Sequence, residues 1–284
     1  MGDVMRYRLA GVLAAVLVQA AAAACGRAEG STVRIDALEQ APPPAASGQA
    51  DQLTVFLDAG HGGRDPGWGS YNFLPSGPYE KDLALDMAVR ITAYLEADGV
   101  RVVLSRTTDS DVNEPERDLN GDGVMDVVDE LQARVDLANA SGAAVMLSLH
   151  WNGLGGSPLG GSAVLYNDVR DFADQNRRLA ELVQAAQLQA LASVGYESRD
   201  WGALPEGSFA APAQSAIDTG YRYNTLIGPA GPYRPRPSQM PGAIAEPLYL
   251  TNPTELALAR DPAVRDALAQ AYAQAVRAFL RTTR

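Results

Sequence analysis

From Leu53 onward, short apolar runs alternate with longer stretches in which apolar residues recur every three or four positions. The short runs predict strands at Leu53–Leu57, Val100–Leu104, Ala143–Leu149 and Ser162–Tyr166, each nearly continuous in apolar residues, as strands covered on both faces are. Tyr223–Ile227 and Ala243–Leu250 fit the strand pattern less closely. The three-to-four spacing predicts helices at Lys81–Ala97, Asp129–Asn139, Asp171–Ser193 and Pro262–Leu280. Strands and helices in this alternation describe a layered α/β domain. The chain shows no internal repeat.

Upstream of Leu53 the pattern changes. Arg6 and Arg8 precede an uncharged apolar run of 16 residues, Leu9 to Ala24, which ends in small residues before Cys25. A spanning helix needs about 20 apolar residues, so residues 1–25 read as a secretory signal. Two outcomes stay open at its end. Cleavage at the alanines would leave Cys25 as an incidental thiol. Alternatively, Ala22-Ala23-Ala24-Cys25-Gly26 resembles a bacterial lipoprotein box, with Ala22 where such boxes usually carry Leu, and Cys25 would then be the lipidated first residue of an exported protein. Residues 26–50, rich in Ala, Pro, Gly, Ser and Gln and containing Pro42-Pro43-Pro44, read as a flexible linker. That leaves 51–284 as the folded domain.

Composition removes several functions. One cysteine forbids an intrachain disulfide and a Cys-rich zinc module, so a metal site must draw on histidine and carboxylates. A formal charge of −11 argues against a nucleic-acid partner. With 46% hydrophobic and 20% charged residues, the chain has the make-up of a folded domain.

The chain has two histidines, and both end predicted strands. Asp58-Ala59-Gly60-His61-Gly62-Gly63 follows the first, and Ser148-Leu149-His150-Trp151-Asn152 closes the third. Chemistry in such sheets collects at the carboxyl ends of strands. Neighbouring strand tips would bring both imidazoles to one ion. A hydrolytic zinc takes three protein ligands and leaves a fourth position open. Glu80, opening the Lys81 helix on the loop that leaves His61, is the candidate third ligand, although a carboxylate there also complements a helix dipole.

With Glu80-Lys81-Asp82, Ser105-Arg106-Thr107-Thr108-Asp109, Ala138-Asn139 and Glu246-Pro247-Leu248-Tyr249-Leu250-Thr251-Asn252 added, these segments in order resemble the zinc-dependent N-acetylmuramoyl-L-alanine amidases of the type 3 class. The resemblance runs from about Leu53 to Leu280. It implies a three-layer, mostly parallel six-stranded sheet with helices on both faces. It also implies that His61, Glu80 and His150 bind Zn2+, that Glu246 is the catalytic carboxylate, and that peptidoglycan is the substrate. Glu246 would then take a proton from water and return it to the departing amine. A carboxylate beside the apolar run Ala243-Ile244-Ala245 is costly to bury without such a demand. The chain departs from the family pattern at Leu248, where a glycine is common, and at Tyr223–Gly228, which lacks a common arginine. The segment Tyr196–Gly220 reads as a loop lining or covering the groove, or as an ordinary surface loop.

Asp118 to Asp129 forms a second motif. Asp118, Asn120, Asp122, Asp126 and Asp129 stand at loop positions one, three, five, nine and twelve, with glycine at six and the Val124 carbonyl at seven. This is the register of a calcium loop, and its terminal Asp resembles dockerin-type loops. The expectation is structural Ca2+.

Three functions fit the sequence. The first is a lipid-anchored or exported peptidoglycan amidase of the bacterial cell envelope. The second is a related zinc amidohydrolase acting on another amide. The third is a non-catalytic wall-binding protein of the same fold, which the presence of all four site residues disfavours.

Overall fold

Val55, Leu57 and Ala59 lie on one side of the first strand and Phe56 and Asp58 on the other, and all five are wholly buried. A strand buried on both faces requires a layer of helices on each side, and the rest of the chain supplies them. The computed structural model describes residues 53–68, 77–153, 159–206, 226–231 and 235–282. The expected signal 1–25 with Cys25, the linker 26–50, and residues 223–225 of one strand candidate lie outside the described residues.

The elements in chain order are β1 (Thr54–Ala59), α1 (Glu80–Ala97), β2 (Arg101–Leu104), α2 (Val127–Ser141), β3 (Val145–Leu149), β4 (Ser162–Tyr166), α3 (Ala173–Ser193), β5 (Asp200–Pro205), β6 (Gly242–Glu246), α4 (Pro253–Arg260) and α5 (Pro262–Thr282). The six strands form one sheet in the order β2-β1-β3-β6-β4-β5. Every neighbouring pair is parallel except β4 and β6. The expected mostly parallel six-stranded sheet is therefore what the chain forms.

Each face of the sheet has its own core. Leu57, Leu147 and Ala245 pack with Ile91 of α1, Val183 of α3 and Val276 of α5. On the other face Phe56, Met146 and Ile244 meet Val135 and Ala138 of α2. Burying one such large side chain is worth about 1.5–3 kcal/mol, so alternation along each strand fixes which residues face which helices. Helix α2 begins at Asp126, whose side chain accepts from Val128 N, and ends at Gly142 in the left-handed region.

Parallel pairing sets the carboxyl ends of β1, β3 and β6 along one edge of the sheet. His61, His150 and Glu246 come from those three ends. Because β4 runs the other way, its amino end reaches the same edge, with Ala163 opposite Glu246.

Two elements depart from the expected pattern. Asp200–Pro205 is a strand inside a segment that reads as loop; it holds Gly202 and ends in proline, which an edge strand tolerates. Pro253–Arg260 is a short helix capped by Asn252, whose side chain accepts from Thr254 N and Glu255 N. The Tyr223–Ile227 strand is not formed over its described part: Leu226 and Ile227 lie in a turn packed against the α2-side core. β6 stops at Glu246 because Pro247 has no N–H to continue the ladder. Among the described residues an isolated bridge, Asn152 to Tyr249, follows.

An ion pair joins sheet to helix within the core. Asp58, wholly buried, accepts from Arg134 Nη1 of α2 at 2.7 Å and from the Ser148 hydroxyl at 2.7 Å. Burial alone would raise the Asp58 carboxyl, but the Arg134 charge and these hydrogen bonds hold it below the ordinary carboxylate range. Removing Arg134 would strand a buried carboxylate, a change that costs about 3–5 kcal/mol. Arg134→Met is expected to lower unfolding free energy by that amount in urea titrations at pH 7. Because the folded pKa of Asp58 is depressed, its contribution is present above the unfolded value of about 3.9 and is lost as pH falls through the folded one. The stability gap between wild type and Asp58→Asn should therefore shrink as the titration is moved below pH 4.

Candidate active site

His61 sits just past β1 with φ of 58°, a left-handed conformation that a side chain rarely adopts. Hydrogen bonds impose it. Arg134 Nη2 donates to the His61 carbonyl at 2.6 Å, and its Nη1 donates to Ala59 O at 2.8 Å. Arg106, also buried, donates from Nε to Ala59 O at 3.0 Å, and from Nη2 to Gly60 O at 3.0 Å and Lys81 O at 2.7 Å. Lys81 Nζ donates to Gly63 O at 2.9 Å and to Asp109 at 2.7 Å, while Asp109 accepts from Gly63 N. The Ser105–Asp109 segment after β2 is thus a clamp on the His61 loop. Gly60 has no room for a side chain, since a Cβ there would lie 2.5 Å from the His150 imidazole. A Cβ on Gly67 would meet Glu80 at 2.6 Å.

The three expected ligands converge. His61 Nε2 lies 3.0 Å from Glu80 Oε1, and His150 Nδ1 lies 3.1 Å from both Glu80 Oε1 and His61 Nε2. The two rings meet edge to face at 79°, with centroids 4.7 Å apart. Tetrahedral zinc with bonds near 2.0–2.1 Å separates its ligand atoms by roughly 3.3 Å, so this triangle is of the right size. Among the described residues it is the one group of three or more His, Cys, Asp or Glu side chains with donor atoms all within 4.8 Å of one another.

Further contacts orient each ligand. Asp65 Oδ2 lies 2.7 Å from His61 Nδ1, which directs Nε2 toward the triangle. Glu80 Oε2 accepts from Trp68 N at 2.8 Å, and Oε1 accepts from Trp151 N at 3.0 Å. Burial disfavours a cationic His61, yet Glu80 and Asp65 outweigh it and raise its pKa well above the usual imidazole value. Burial would raise Glu80, but the two histidines pull it well below the ordinary range. The Glu80 and Asp65 charges favour positive charge at the His61 imidazole, whether carried by a proton or a metal ion.

Glu246 stands beside the triangle. Its Oε2 is buried and without a hydrogen-bond partner among the described residues. Burial first, and the Glu80 charge second, push its carboxyl well above the ordinary range. An unpartnered buried carboxyl oxygen next to three convergent donors suits a group that must receive a proton, and the donor set fits a zinc ion.

In the loop expected to hold calcium, the acidic and amide side chains accept from backbone N–H groups. Asp118 accepts from Gly121 N and Gly123 N at 2.7 and 2.8 Å, Asn120 from Asp122 N at 2.9 Å, and Asp122 from Val124 N at 2.8 Å. Asp129 accepts from Leu119 N, Asn120 N and Asp126 N, and Asp126 caps α2. The side chains at positions one, three, five and twelve accept from N–H groups of the loop and that at position nine from Val128 N of α2, and the Val124 carbonyl completes the expected set. A surface concavity of about 550 Å³ alongside α2, lined by Asp136, Arg170 and Arg236 among others, lies away from the triangle. Its arginines are engaged with Asp136 and with the carbonyls of Gly228 and Ser238.

Sequence reasoning misses Asp65, which a carboxylate four residues after His61 could have signalled. It also gives no role to Gly67 or to the Trp68 and Trp151 amides, because backbone donors leave no mark on residue type.

Two histidines and a glutamate at the carboxyl edge of an α/β sheet, with a second buried glutamate alongside, define a fold built around a candidate hydrolytic metal centre. The chain belongs to the Amidase_3 family, N-acetylmuramoyl-L-alanine amidase, which matches residues 55–278. It is 27% identical over 218 residues to N-acetylmuramoyl-L-alanine amidase LytC of Bacillus subtilis (strain 168), covering 77% of this chain and 34% of LytC. The chain thus spans about a third of that relative's length. It is equally similar, at 27% over 219 residues, to the uncharacterized protein YqiI of the same organism, covering 77% of this chain and 81% of YqiI. The crystal structure of N-acetylmuramoyl-L-alanine amidase from Clostridium difficile 630 superposes with a TM-score of 0.59 at 26% identity, covering 83% of this chain and 100% of that one. The catalytic domain of CwlV from Bacillus (Paenibacillus) polymyxa var. colistinus shares the fold at a TM-score of 0.56 and 23% identity, covering 81% of this chain and 98% of that one.

Replacing Asp65 by alanine removes the partner that orients His61. Competition against a chromogenic chelator is expected to show zinc affinity falling by about 10–100-fold, with the unfolding midpoint of the metal-free protein little changed.

Proposed function

We propose that this chain is a zinc-dependent peptidoglycan hydrolase that cleaves the amide joining N-acetylmuramic acid to the L-alanine of the stem peptide. The observation that carries the reading is the meeting of His61, Glu80 and His150 within 3.0–3.1 Å beside the unpartnered Glu246 oxygen, in a chain of the amidase family.

His61 Nε2, His150 Nδ1 and Glu80 Oε1 would hold the ion. When bound, zinc supplies a Lewis-acidic charge that eases deprotonation of water and polarises the scissile carbonyl. Glu246 takes the proton at its free Oε2 and passes it to the departing alanine nitrogen, acting as base and then as acid. Its raised pKa suits that double task, because a carboxyl of ordinary pKa would hold the proton too briefly to deliver it. Asp65 fixes the His61 tautomer, and the Trp68 and Trp151 amides hold the Glu80 carboxylate in place.

The Leu248 departure favours a related amidohydrolase as second reading, yet Leu248 is wholly buried in the core on the α1 side. Its side chain is taken up by core packing, which keeps the peptidoglycan reading ahead.

The proposal extends to the rest of the chain. Residues 51–284 are the catalytic domain, exported to the cell envelope behind the signal 1–25 and the linker 26–50, with Cys25 as the attachment point of a lipid anchor. Asp118, Asn120, Asp122, the Val124 carbonyl, Asp126 and Asp129 form a structural Ca2+ site ahead of α2, supported by the full register of the loop.

Incubated with purified muropeptides, the zinc-loaded protein is expected to release free stem peptide bearing a new L-alanine amine, detected by mass spectrometry. Glu246→Gln should reduce turnover by at least about 10²-fold while retaining one zinc per chain. Turnover that survives this change, or zinc-loaded protein that leaves muropeptides intact, contradicts the proposal. For the loop, calorimetry should show one calcium bound with a Kd of about 10⁻⁴–10⁻³ M or tighter, and no binding in Asp122→Ala.

A further inference from the structure

We propose that Arg199, laid over the indole of Trp201, is a carboxylate-binding subsite for the stem peptide and engages the free carboxylate of the residue that follows L-alanine. The substrate in this inference rests on the amidase reading above.

Strand register places the pair beside the reaction centre. Glu246 of β6 lies opposite Ala163 of β4, and Ala163 pairs with Gly202 of β5. Two strand spacings of about 4.8 Å each put the Gly202 Cα roughly 10 Å from that of Glu246. Ser162 pairs with Asp200 and Ala163 with Gly202, so Trp201 is the extra residue of a bulge. A bulge turns a side chain out of the ladder at a chosen point. Because β4 is antiparallel to β6 and parallel to β5, the amino end of β5 lies on the edge that carries His61, His150 and Glu246.

The platform is built in. Trp201 Nε1 donates to Gly160 O at 3.1 Å, and a Cβ on Gly161 would lie 2.4 Å from the same nitrogen. Glycine at 161 is thus required by the indole packed against it. The Arg199 guanidinium carbon sits 3.6 Å from the indole centroid, a cation–π stack whose N–H donors have no side-chain ion-pair partner among the described residues.

Arg199 also differs from the other cations of this edge. Arg64 pairs with Asp111 and Glu116, Lys81 with Asp109, and Arg134 with Asp58 and Glu130, while Arg106 is taken up by backbone carbonyls. Arg199 is exposed and makes no ion pair among the described residues. On a chain of net charge −11, a preorganised guanidinium at the reaction edge without an ion pair among the described residues is matched to an anionic ligand. Burial, Glu246 and Glu255 raise the pKa of the Tyr249 hydroxyl and the Arg199 charge opposes them, so Glu246 and Arg199 act on the same phenol. The second stem residue lies one Cα spacing of about 3.8 Å beyond L-alanine. With Glu246 at the scissile amide, its carboxylate falls within the span that an arginine side chain covers from β5.

The test uses two muramyl tripeptides that differ only in whether the α-carboxyl of the second residue is free or amidated. With the free acid, Arg199→Gln should raise KM about 5–20-fold at nearly constant kcat. The amidated substrate should be unaffected, and Arg199→Lys should recover part of the loss. Calorimetry with zinc-loaded Glu246→Gln protein, with and without Arg199→Gln, should show the same dependence in Kd. Equal effects on both tripeptides, or none on either, overturn the subsite. Arg199-dependent binding without any hydrolysis by wild type keeps the subsite and overturns the amidase reading. Hydrolysis without Arg199 dependence does the reverse, and absence of both binding and hydrolysis overturns the two together.

Discussion

The buried guanidinium of Arg134 is the contact on which the site depends. It neutralises Asp58 in the middle of the core and, from the same side chain, grips the carbonyls of Ala59 and His61. One residue of α2 thereby sets the end of β1, the unusual backbone of His61, and through it the direction of Nε2. Arg106 doubles the grip from the segment after β2. An unpaired guanidinium or carboxylate in this position would cost several kcal/mol, so helix, strand and loop must be in register together. The strain of a left-handed histidine is offset by these charge-assisted bonds and persists only because they over-determine it.

The charges nearest the reaction point are arranged in opposition. Glu80 and Asp65 make the His61 imidazole attractive to a cation, while burial and Glu80 make Glu246 reluctant to ionise. Two carboxylates a short distance apart are thus driven to opposite protonation behaviour, the condition under which one serves as ligand and the other as proton carrier. A divalent cation in the triangle would relieve the first tension and leave Glu246 as the group that exchanges protons.

Much of this was legible in the sequence, because strong periodicity and rare residue types carry long-range meaning. The apolar runs at β1, β3 and β4 are strands, the helices fall where the three-to-four spacing puts them, and the chain's two histidines meet. Boundaries tied to tertiary contacts were less legible. β5 is an edge strand with glycine and proline, stabilised by pairing with β4 rather than by its own propensity. Helix α4 is two turns long, too short for periodicity, although Asn252-Pro253 announced its cap. Asp65 and the amides that hold Glu80 act through geometry that no residue pattern encodes. The Arg134 link to His61 spans 73 residues and exists only once α2 lies on the sheet.

The most direct test of the account is X-ray absorption at the zinc edge on the protein loaded with one equivalent of zinc. The account predicts a single ion with two imidazole nitrogens at about 2.0–2.1 Å and a carboxylate oxygen at about 2.0–2.2 Å, and loss of that signature in His150→Ala. An ion coordinated without imidazole, or a spectrum unchanged by His150→Ala, would contradict it.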